Sequence, residues 1–279
     1  MLPLESKPSG AWESLQSNHN QVYDFWCERM REKSGITIFV TGTDTDCGKT
    51  VISAGLLAAA IIGGIPAVGI KAVQTGCELR DGRLISPDAD FYKAVAPEVE
   101  SVMLMGFEDA VSPHLAARRE GRFIDAPSLS EMIANRGRGK RLVVVEGAGG
   151  VLVPLNSRET VADMMKLCAS SAVLVVSNKL GAVNHALLSI ELLRSRRIPV
   201  SGFVAIDASP PCMENALNAV TRQENPRIIN DISGVACLAE VPFLAGLNSG
   251  SNEERRDAAK MLAGLMLPVV NRLLAEYGV

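Results

Sequence analysis

The sequence predicts a doubly wound α/β fold with a mostly parallel sheet. Two observations carry this prediction. From residue 36 onward, short apolar runs alternate with segments of helical periodicity, which is typical of βαβ units. The turns that follow these runs are rich in glycine and polar residues, as expected where parallel strands end beside a ligand crevice.

The apolar runs predict the strands, and the periodic segments predict the helices between them. The predicted strands cover residues 36–40, 67–71, 142–145, 172–176 and 200–206, with a shorter one at 235–238. The predicted helices cover residues 50–62, 89–95, 128–135, 161–169, 183–196, 213–223 and 252–276. The last of these helices contains Pro268, and proline is a residue at which helices bend.

Residues 1–34 precede the first strand and are predicted to form a helical extension. Trp12, Leu15, Trp26 and Met30 recur there at helical spacing. We expect this helix to dock on the domain or at a subunit contact, and we assign it no chemistry. Residues 35–279 are then predicted to form one α/β domain, because the sequence shows no linker, repeat or low-complexity segment.

Composition narrows the class of protein. The chain has 279 residues, 47% of them hydrophobic and 21% charged, and a net charge of −3 without a long basic run, so nucleic acid is not expected as a main partner. The six cysteines show no C-x-x-C or zinc-type spacing, which predicts reduced thiols. Because we find neither an apolar run of membrane-spanning length nor a secretory signal, we expect a cytoplasmic protein without a membrane partner.

The first strand leads into a glycine- and aspartate-rich turn that ends in Gly48-Lys49-Thr50. This strand–turn–helix layout predicts a phosphate-binding loop and therefore a P-loop NTPase-like fold. Backbone N–H groups of the turn would face a polyphosphate, Lys49 would reach its β and γ oxygens, and the Thr50 hydroxyl would ligate Mg²⁺. Five residues separate Gly42 from Gly48, one more than in the general motif, so the loop is a variant.

Charged side chains close two further strands. Lys71 ends the second strand, where it would either reach solvent or add a second cation beside the phosphates, with Thr75 nearby. Glu146 follows the predicted strand at 142–145 and precedes a run of glycines. A carboxylate at this position is predicted to ligate Mg²⁺, which prefers hard oxygen ligands. Asp88 and Asp90 open a helix after Ser86-Pro87, and the sequence does not decide whether they cap the helix or whether Asp88 is another metal ligand.

The turn at Lys179-Leu180-Gly181 leads into another helix, whose free N–H groups suit a carboxylate or a phosphate. An ordinary connection between strand and helix would have the same pattern. His114 and His185 are interpreted as structural residues, because a lone histidine is more often packed or hydrogen-bonded than catalytic.

Taken together, these blocks resemble the dethiobiotin synthetase family. The matching motifs are Thr41-Gly42-Thr43-Asp44-Thr45-x-x-Gly48-Lys49-Thr50, Lys71-x-Val73-x-Thr75-Gly76, Ser112-Pro113-His114 with Glu120-Gly121-Arg122, Val145-Glu146-Gly147-Ala148-Gly149-Gly150, and Lys179-Leu180-Gly181-x-x-Asn184-His185. They fall in the family's order over about residues 36–245. The N-terminal extension has no counterpart in the resemblance.

The resemblance implies a ligase of biotin biosynthesis that uses ATP and Mg²⁺. Its substrate would be 7,8-diaminopelargonic acid, one amine of which takes up CO₂ as a carbamate. ATP would phosphorylate the carbamate, and the second amine would attack the mixed anhydride to close the ureido ring. Such chemistry requires positioning and charge neutralisation, and it needs no covalent enzyme intermediate.

The resemblance also implies roles for residues of this sequence. The catalytic residues would be Lys49, Lys71 and Thr45, and the metal ligands would be Thr50, Asp88 and Glu146. Nucleotide-binding residues would be Thr43, Asp44, Thr45, Asp46, Cys47, Gly48, Lys49, Thr50 and Asp207. Substrate-binding residues would be Thr45, Lys71, Thr75, Gly149, Gly181, Ala182, Val183 and Asn184. The last four would come from the second subunit of a homodimer, with the active site at the interface.

Two positions depart from the family's pattern. Ile206 stands where relatives carry an asparagine that reads the adenine edge, and Gly246 stands where they carry a second adenine-side acid. Because polar base contacts provide discrimination, their loss predicts a relaxed nucleotide preference, with GTP or CTP as further co-substrates.

Two other functions remain open at this point. One is another ATP-dependent synthetase, or a regulatory domain, of the same P-loop branch; it would keep the loop, Lys71 and Glu146 without the diamine-binding elements. The other is a partitioning-type ATPase switch, which would bind a partner or a membrane. Such switches usually carry a lysine early in the loop, where this chain has Thr43-Asp44-Thr45.

Overall fold

Seven parallel strands form one sheet in the computed structural model, which describes residues 35–207, 210, 216–248 and 251–279. The strands are β1 (Ile36–Gly42), β2 (Ala67–Gln74), β5 (Glu100–Gly106), β6 (Leu142–Gly150), β7 (Ser171–Ser177), β8 (Val200–Ile206) and β9 (Cys237–Val241). Their order in the sheet is β5-β2-β6-β1-β7-β8-β9, with the crossovers that a doubly wound fold requires. The predicted fold class is confirmed. The predicted helical extension over residues 1–34 lies outside the described residues.

Three strands were missing from the sequence prediction. β5 is an edge strand, and its methionine-rich, half-exposed run lacks the β-branched signature of the central strands. β3 (Glu78–Arg80) and β4 (Arg83–Ile85) form a separate antiparallel hairpin. Its turn, Asp81-Gly82, has φ values of 50° and 72°, the left-handed pair that a tight two-residue hairpin needs. The Asp-Gly pair in the sequence could therefore have been used to predict this hairpin.

Eight α-helices lie in the described part of the chain. They are α1 (Lys49–Ile62), α2 (Pro87–Val95), α3 (Pro113–Arg119), α4 (Ala126–Arg136), α5 (Val161–Cys168), α6 (Ala182–Ser195), α7 (Ala216–Ser233) and α8 (Asn252–Glu276). Helix α3 was not predicted. Helix α7 continues past the predicted end at 223 and through Pro226, because Ile229 packs into the core beside α6.

Helices cover both faces of the sheet. One face packs α1, α2 and α8 against alternate residues of the central strands, including Ile38, Val40 and Val144. The other face packs α4, α5 and α6 against the intervening residues, such as Phe39, Val143 and Leu174. Because β-strand side chains alternate between faces, a residue's parity decides which helix layer it meets. Glu146 shares the parity of Val144 and therefore lies on the face of α1 and α2.

Helix α8 is the one described helix long and apolar enough, by length and composition alone, to cross a membrane. It has 25 residues, and its most apolar stretch has a mean hydropathy of 1.4. No run of this kind was expected from the sequence. Leu262, Met266 and Val270 of this helix are buried in the core layer shared with α1, which is the behaviour of a core helix in a globular protein.

Candidate active site

The loop between β1 and α1 is held by close contacts that only glycine permits. Gly48 caps the start of α1 with φ of 100°, in the left-handed region, and a side-chain carbon there would lie 2.9 Å from Ile206. A side-chain carbon on Gly42 would lie 2.2 Å from the Cys47 sulfur. The predicted nucleotide-binding loop, Thr43 to Thr50, therefore adopts a tight turn at the carboxyl end of β1.

Lys49 lies inside this turn. Its ammonium donates to the backbone carbonyl of Asp44 at 2.6 Å, and the side chain is buried. The Cys47 sulfur lies 3.8 Å from the same nitrogen. A buried cation that is satisfied only by neutral acceptors is suited to exchange one of them for a phosphate oxygen.

Lys71 and Glu146 face each other because β2 and β6 pair in register at these two residues. The Lys71 ammonium lies 2.6 Å from Glu146 Oε1 and 2.5 Å from Asp88 Oδ2. Burial lowers the pKa of Lys71, but the two carboxylates outweigh it, and the pKa is raised from 10.5. Lys71 is therefore a fixed cation. Asp90 instead forms an exposed pair with Lys93, so Asp88 is the carboxylate of α2 that faces the site.

Both oxygens of Glu146 are occupied, and the residue is only 1% exposed. Oε1 accepts a 3.0 Å hydrogen bond from the Thr50 hydroxyl in addition to its contact with Lys71. Oε2 accepts from the Tyr92 hydroxyl. Burial, followed by the negative charge of Glu146, raises the pKa of Tyr92 well above 10, so its hydroxyl stays a donor.

Tyr92 was not singled out from the sequence. It lies four residues after Asp88 on α2, so both side chains are on the same helix face. This Asp-x-x-x-Tyr spacing was the available signal.

Thr50, Asp88 and Glu146, the predicted metal ligands, converge on this cluster. Their hydroxyl and carboxylate oxygens are the ligand type that Mg²⁺ prefers, and two carboxylates beside a phosphate site match how Mg²⁺ is usually held. Among the described residues there is no group of three or more His, Cys, Asp or Glu side chains that could enclose a metal by itself. The donor set therefore fits a hard cation shared with a nucleotide better than a protein-only metal centre.

Part of the predicted substrate-binding set is brought together beside the loop. Gly149 has φ of 64°, and a side-chain carbon there would lie 3.6 Å from the Thr45 hydroxyl oxygen. Thr75 follows β2, and its backbone carbonyl accepts from the Gln74 side chain. Thr45 is exposed and Thr75 is half-buried, so both hydroxyls remain accessible to a ligand.

The predicted carboxylate-binding turn at residues 181–184 lies where β7 gives way to α6. Gly181 has φ of 90° and begins that helix. Asn184 is exposed, and no hydrogen bond or ion pair between described residues joins this turn to the Lys49, Lys71 and Glu146 cluster. The fold therefore places the turn at the carboxyl edge of the sheet, after β7.

The described residues of the region expected to face the nucleotide base are held mainly by packing contacts. Ile206 is buried against Gly48, and a side-chain carbon on Gly246 would lie 2.6 Å from the Glu254 carbonyl. Asp207 pairs with Arg222 at 3.2 Å through Oδ2. Its Oδ1 is buried and has no hydrogen-bond partner among the described residues.

The Ser112-Pro113-His114 and Glu120-Gly121-Arg122 blocks have structural contacts. The Arg122 guanidinium donates to the Gly106 carbonyl at 2.6 Å and lies 4.5 Å from the centre of the Phe107 ring. Glu120 accepts from the backbone N–H of Glu108 at 3.0 Å. These contacts anchor the chain that follows β5. The His114 Nδ1 is buried and has no partner among the described residues.

A phosphate-binding loop after the first strand, followed by a buried lysine held between two carboxylates, defines a nucleotide-dependent α/β protein of the P-loop class. Solved structures of this fold agree. The cell division ATPase MinD of Pyrococcus furiosus matches with a TM-score of 0.56 at 17% identity, covering 87% of this chain and 99% of that one. A ParA family ATPase of Chlorobium tepidum matches with a TM-score of 0.54 at 11% identity, covering 86% and 99%. At such identities these matches show the fold alone.

Sequence relatives identify the family. Residues 36–251 match a family model described as an AAA domain. The ATP-dependent dethiobiotin synthetase BioD of Cellvibrio japonicus is 37% identical over 229 residues, 80% of this chain and 96% of that protein. The protein of the same name from Pseudomonas paraeruginosa is 37% identical over 237 residues, 81% and 98% of the two chains. The chain belongs to the dethiobiotin synthetase family, and the predicted resemblance is confirmed.

Proposed function

We propose that this chain is an ATP-dependent dethiobiotin synthetase that closes the ureido ring of 7,8-diaminopelargonic acid with CO₂. The observation that carries the proposal is the buried cluster in which Lys71 meets Glu146 at 2.6 Å and Asp88 at 2.5 Å, beside the loop that holds Lys49. It concentrates two fixed cations and two acids where a phosphoryl group would be transferred. The diamine and CO₂ are proposed as the reactants from the resemblance to the dethiobiotin synthetase family, to which the chain belongs.

The reaction divides into three steps. One substrate amine adds to CO₂ and loses a proton, which gives a carbamate. A carbamate oxygen then takes the γ-phosphoryl group of ATP, and ADP leaves. The second amine attacks the carbonyl carbon of this mixed anhydride, and inorganic phosphate leaves as the ring closes. Each step needs alignment and charge neutralisation rather than an enzyme nucleophile.

Lys49 and Lys71 are assigned to the transferred phosphoryl group. Lys49 would exchange the Asp44 carbonyl for a phosphate oxygen, and the backbone N–H groups from Asp44 to Thr50 would hold the remaining oxygens. The Thr43 N–H donates to the Val175 carbonyl at 3.1 Å and ties the start of the loop to β7. Lys71 keeps its charge because of its two carboxylate partners, and it would face the carbamate side. Thr45, Gly149 and Thr75 flank this position and would orient the diamine and its carbamate.

Thr50, Asp88 and Glu146 are assigned to a Mg²⁺ ion that accompanies the nucleotide. When bound, the ion supplies positive charge to the β and γ phosphate oxygens. Asp207 is assigned to the base side of the nucleotide site, where its Oδ1 has no partner among the described residues.

The proposal includes a homodimer in which residues 181–184 of the second subunit bind the substrate carboxylate. Leu180 and Leu188, on either side of this turn, are 84% and 64% exposed. Exposed leucines beside an incomplete site favour a partner subunit on this surface. Sedimentation of the fully active enzyme as a monomer would contradict this part. We also place the enzyme in the cytoplasm, with residues 35–279 as its catalytic domain.

The test is incorporation of labelled bicarbonate into an acid-stable product, with and without the diamine. Wild-type protein should incorporate label only when ATP, Mg²⁺ and diamine are all present. Lys49→Ala should lower the rate at least about 10²-fold, because a preorganised charge on the phosphoryl group is lost. Lys93→Ala, which removes an exposed lysine of α2, is the control and should match wild type. Nucleotide hydrolysis without incorporation would overturn the proposal and favour another P-loop function.

A further inference from the structure

Tyr92 makes a contact with the active-site acid that the proposed chemistry does not by itself explain. Its side chain is 1% exposed, and its hydroxyl donates to Oε2 of Glu146. Oε1 of the same carboxylate faces Thr50 and Lys71 instead. The two oxygens therefore have different surroundings, and only Oε1 is directed toward the predicted metal ligands.

The fold fixes Tyr92 in this place from three sides. Its helix, α2, begins at Ser86, whose hydroxyl oxygen accepts from the Ala89 N–H at 3.1 Å and lies 3.0 Å from the Gln74 side chain at the end of β2. Asp88 precedes Tyr92 by one helical turn and binds Lys71. Across the ring, β2 carries Gly69, where a side-chain carbon would lie 3.3 Å from the Tyr92 ring. The same carbon would lie 2.5 Å from Leu57, so the glycine makes room for Leu57 first and for the ring beside it.

We propose that Tyr92 is a positioning residue that holds Glu146 so that Oε1, and not Oε2, faces the position of the divalent cation. This inference rests on the metal ligands of the proposed function. A buried carboxylate oxygen needs a donor, and without one the carboxylate turns toward whatever donor or cation it can reach. Lys71 already holds Oε1 at 2.6 Å, and a carboxylate that turned both oxygens toward Lys71 would present a different geometry to the cation. Residues that hydrogen-bond to a metal ligand, rather than to the metal itself, typically contribute about 10–100-fold to metal affinity.

The experiment measures cation binding rather than turnover. Mn²⁺ is titrated into the protein complexed with a non-hydrolysable ATP analogue, and free Mn²⁺ is followed by electron paramagnetic resonance. Tyr92→Phe removes the hydroxyl and keeps the ring. We expect it to weaken Mn²⁺ binding by about 10–100-fold. Binding of the analogue in the absence of divalent cation should change less than about twofold, because the Tyr92 hydroxyl meets Glu146 and Ser53 of α1 rather than the loop.

The matched control is Tyr277→Phe. The Tyr277 hydroxyl donates to the Ser170 carbonyl at 3.0 Å, at the amino end of β7 and far along the sheet from Glu146. This variant also loses one phenol hydrogen bond, so it should retain wild-type Mn²⁺ affinity. Thermal unfolding of the wild type and of both variants is measured without cation. It shows whether a weaker Mn²⁺ affinity comes from the lost hydrogen bond or from an unfolded protein.

The outcomes distinguish this inference from the function on which it rests. Equal Mn²⁺ affinity in wild type and Tyr92→Phe would overturn the role of Tyr92 and leave the proposed function intact. Equal weakening by Tyr277→Phe would overturn it too, because the effect would then follow from general loosening. Wild-type protein that binds no Mn²⁺ with the analogue would overturn the metal ligand set itself, and this inference with it.

Discussion

The two sides of the nucleotide site are built differently. On the β2 and β6 side, Lys71, Asp88, Glu146 and Tyr92 form a buried network in which every charge has a partner. On the β8 side, Ile206 packs on the Gly48 backbone, and a neighbouring carboxylate oxygen of Asp207 has no partner among the described residues. Polar contacts hold the side chains of the first region, while packing contacts hold the described side chains of the second.

This difference indicates which residues of the site have strict chemical requirements. Breaking a buried ion pair leaves an uncompensated charge, so Lys71, Asp88 and Glu146 on the β2 and β6 side should tolerate no change of residue type. A region shaped by packing tolerates changes that preserve volume. We therefore expect mutations of these three charged residues to abolish function and destabilise the fold, and mutations on the second side to alter nucleotide preference.

The largest effect is expected from Lys71→Met, which leaves Asp88 and Glu146 facing each other without a cation. We expect a loss of at least about 10²-fold in ring closure. We also expect about 3 kcal/mol less unfolding free energy, because a buried pair loses its partner. Urea denaturation measures the second quantity. Lys140→Met, which removes a lysine paired with Glu100 at 3.3 Å on the surface, should cost less than about 1 kcal/mol.

The pH dependence of this difference follows from the pKa of Lys71, which is raised from 10.5. A raised folded-state pKa gives a contribution that is fully present below the unfolded value and is lost as pH rises through the folded value. The stability gap between wild type and Lys71→Met should therefore be constant from about pH 7 to about pH 9. A gap that disappears within this range, or that Lys140→Met reproduces, would contradict the network.

The polar network was largely predictable from the sequence, although Lys71 and Glu146 lie inside β2 and β6, which continue to Gln74 and Gly150. Lys71 and Glu146 each close an apolar run, and parallel strands end at the same edge. The sequence could not show that they pair in register, or that Asp88 rather than Asp90 turns inward. Those facts depend on the start of α2, which Ser86 and Pro87 set. The contact of Tyr92 with Oε2 joins α2 to β6, and its one signal in the sequence was the Asp-x-x-x-Tyr spacing on α2.

The packing side was less predictable. Ile206 was recognised as a departure from a pattern, but not as the residue that covers Gly48. Contacts of this kind depend on how two turns approach each other, which hydrophobic periodicity does not encode. The strand β5 was missed for another reason: a strand at the edge of the sheet is less buried, so its hydrophobic pattern is weaker. The hairpin turn at Asp81-Gly82, by contrast, is encoded in the sequence and was overlooked in the sequence prediction.

The next effect is expected at Gly48, the residue that joins the two sides. Gly48→Ala places a side chain at φ of 100° and 2.9 Å from Ile206. We expect about 2 kcal/mol lower stability and at least about tenfold weaker nucleotide binding, because the loop must shift. Calorimetry with ATP measures the binding. Gly64→Ala is the control: Gly64 has φ of 61° with nothing within 4 Å, so it should keep wild-type binding. Equal nucleotide affinity in Gly48→Ala would show that the contact is not required.

The smallest effect is expected in nucleotide preference. With isoleucine at 206 and glycine at 246, no polar side chain at these positions discriminates the base, so kcat/KM for ATP, GTP and CTP should agree within about tenfold. The unpartnered Asp207 oxygen would accept from an amino group, which these three bases carry and uracil lacks, so UTP should be the poorest substrate. Ile206→Val keeps the packing and should leave the ratios unchanged, whereas Ile206→Asn should raise the share of ATP. Strong ATP preference in the wild type would show that adenine is read by other groups, and the β8 side would then be as specified as the β2 and β6 side.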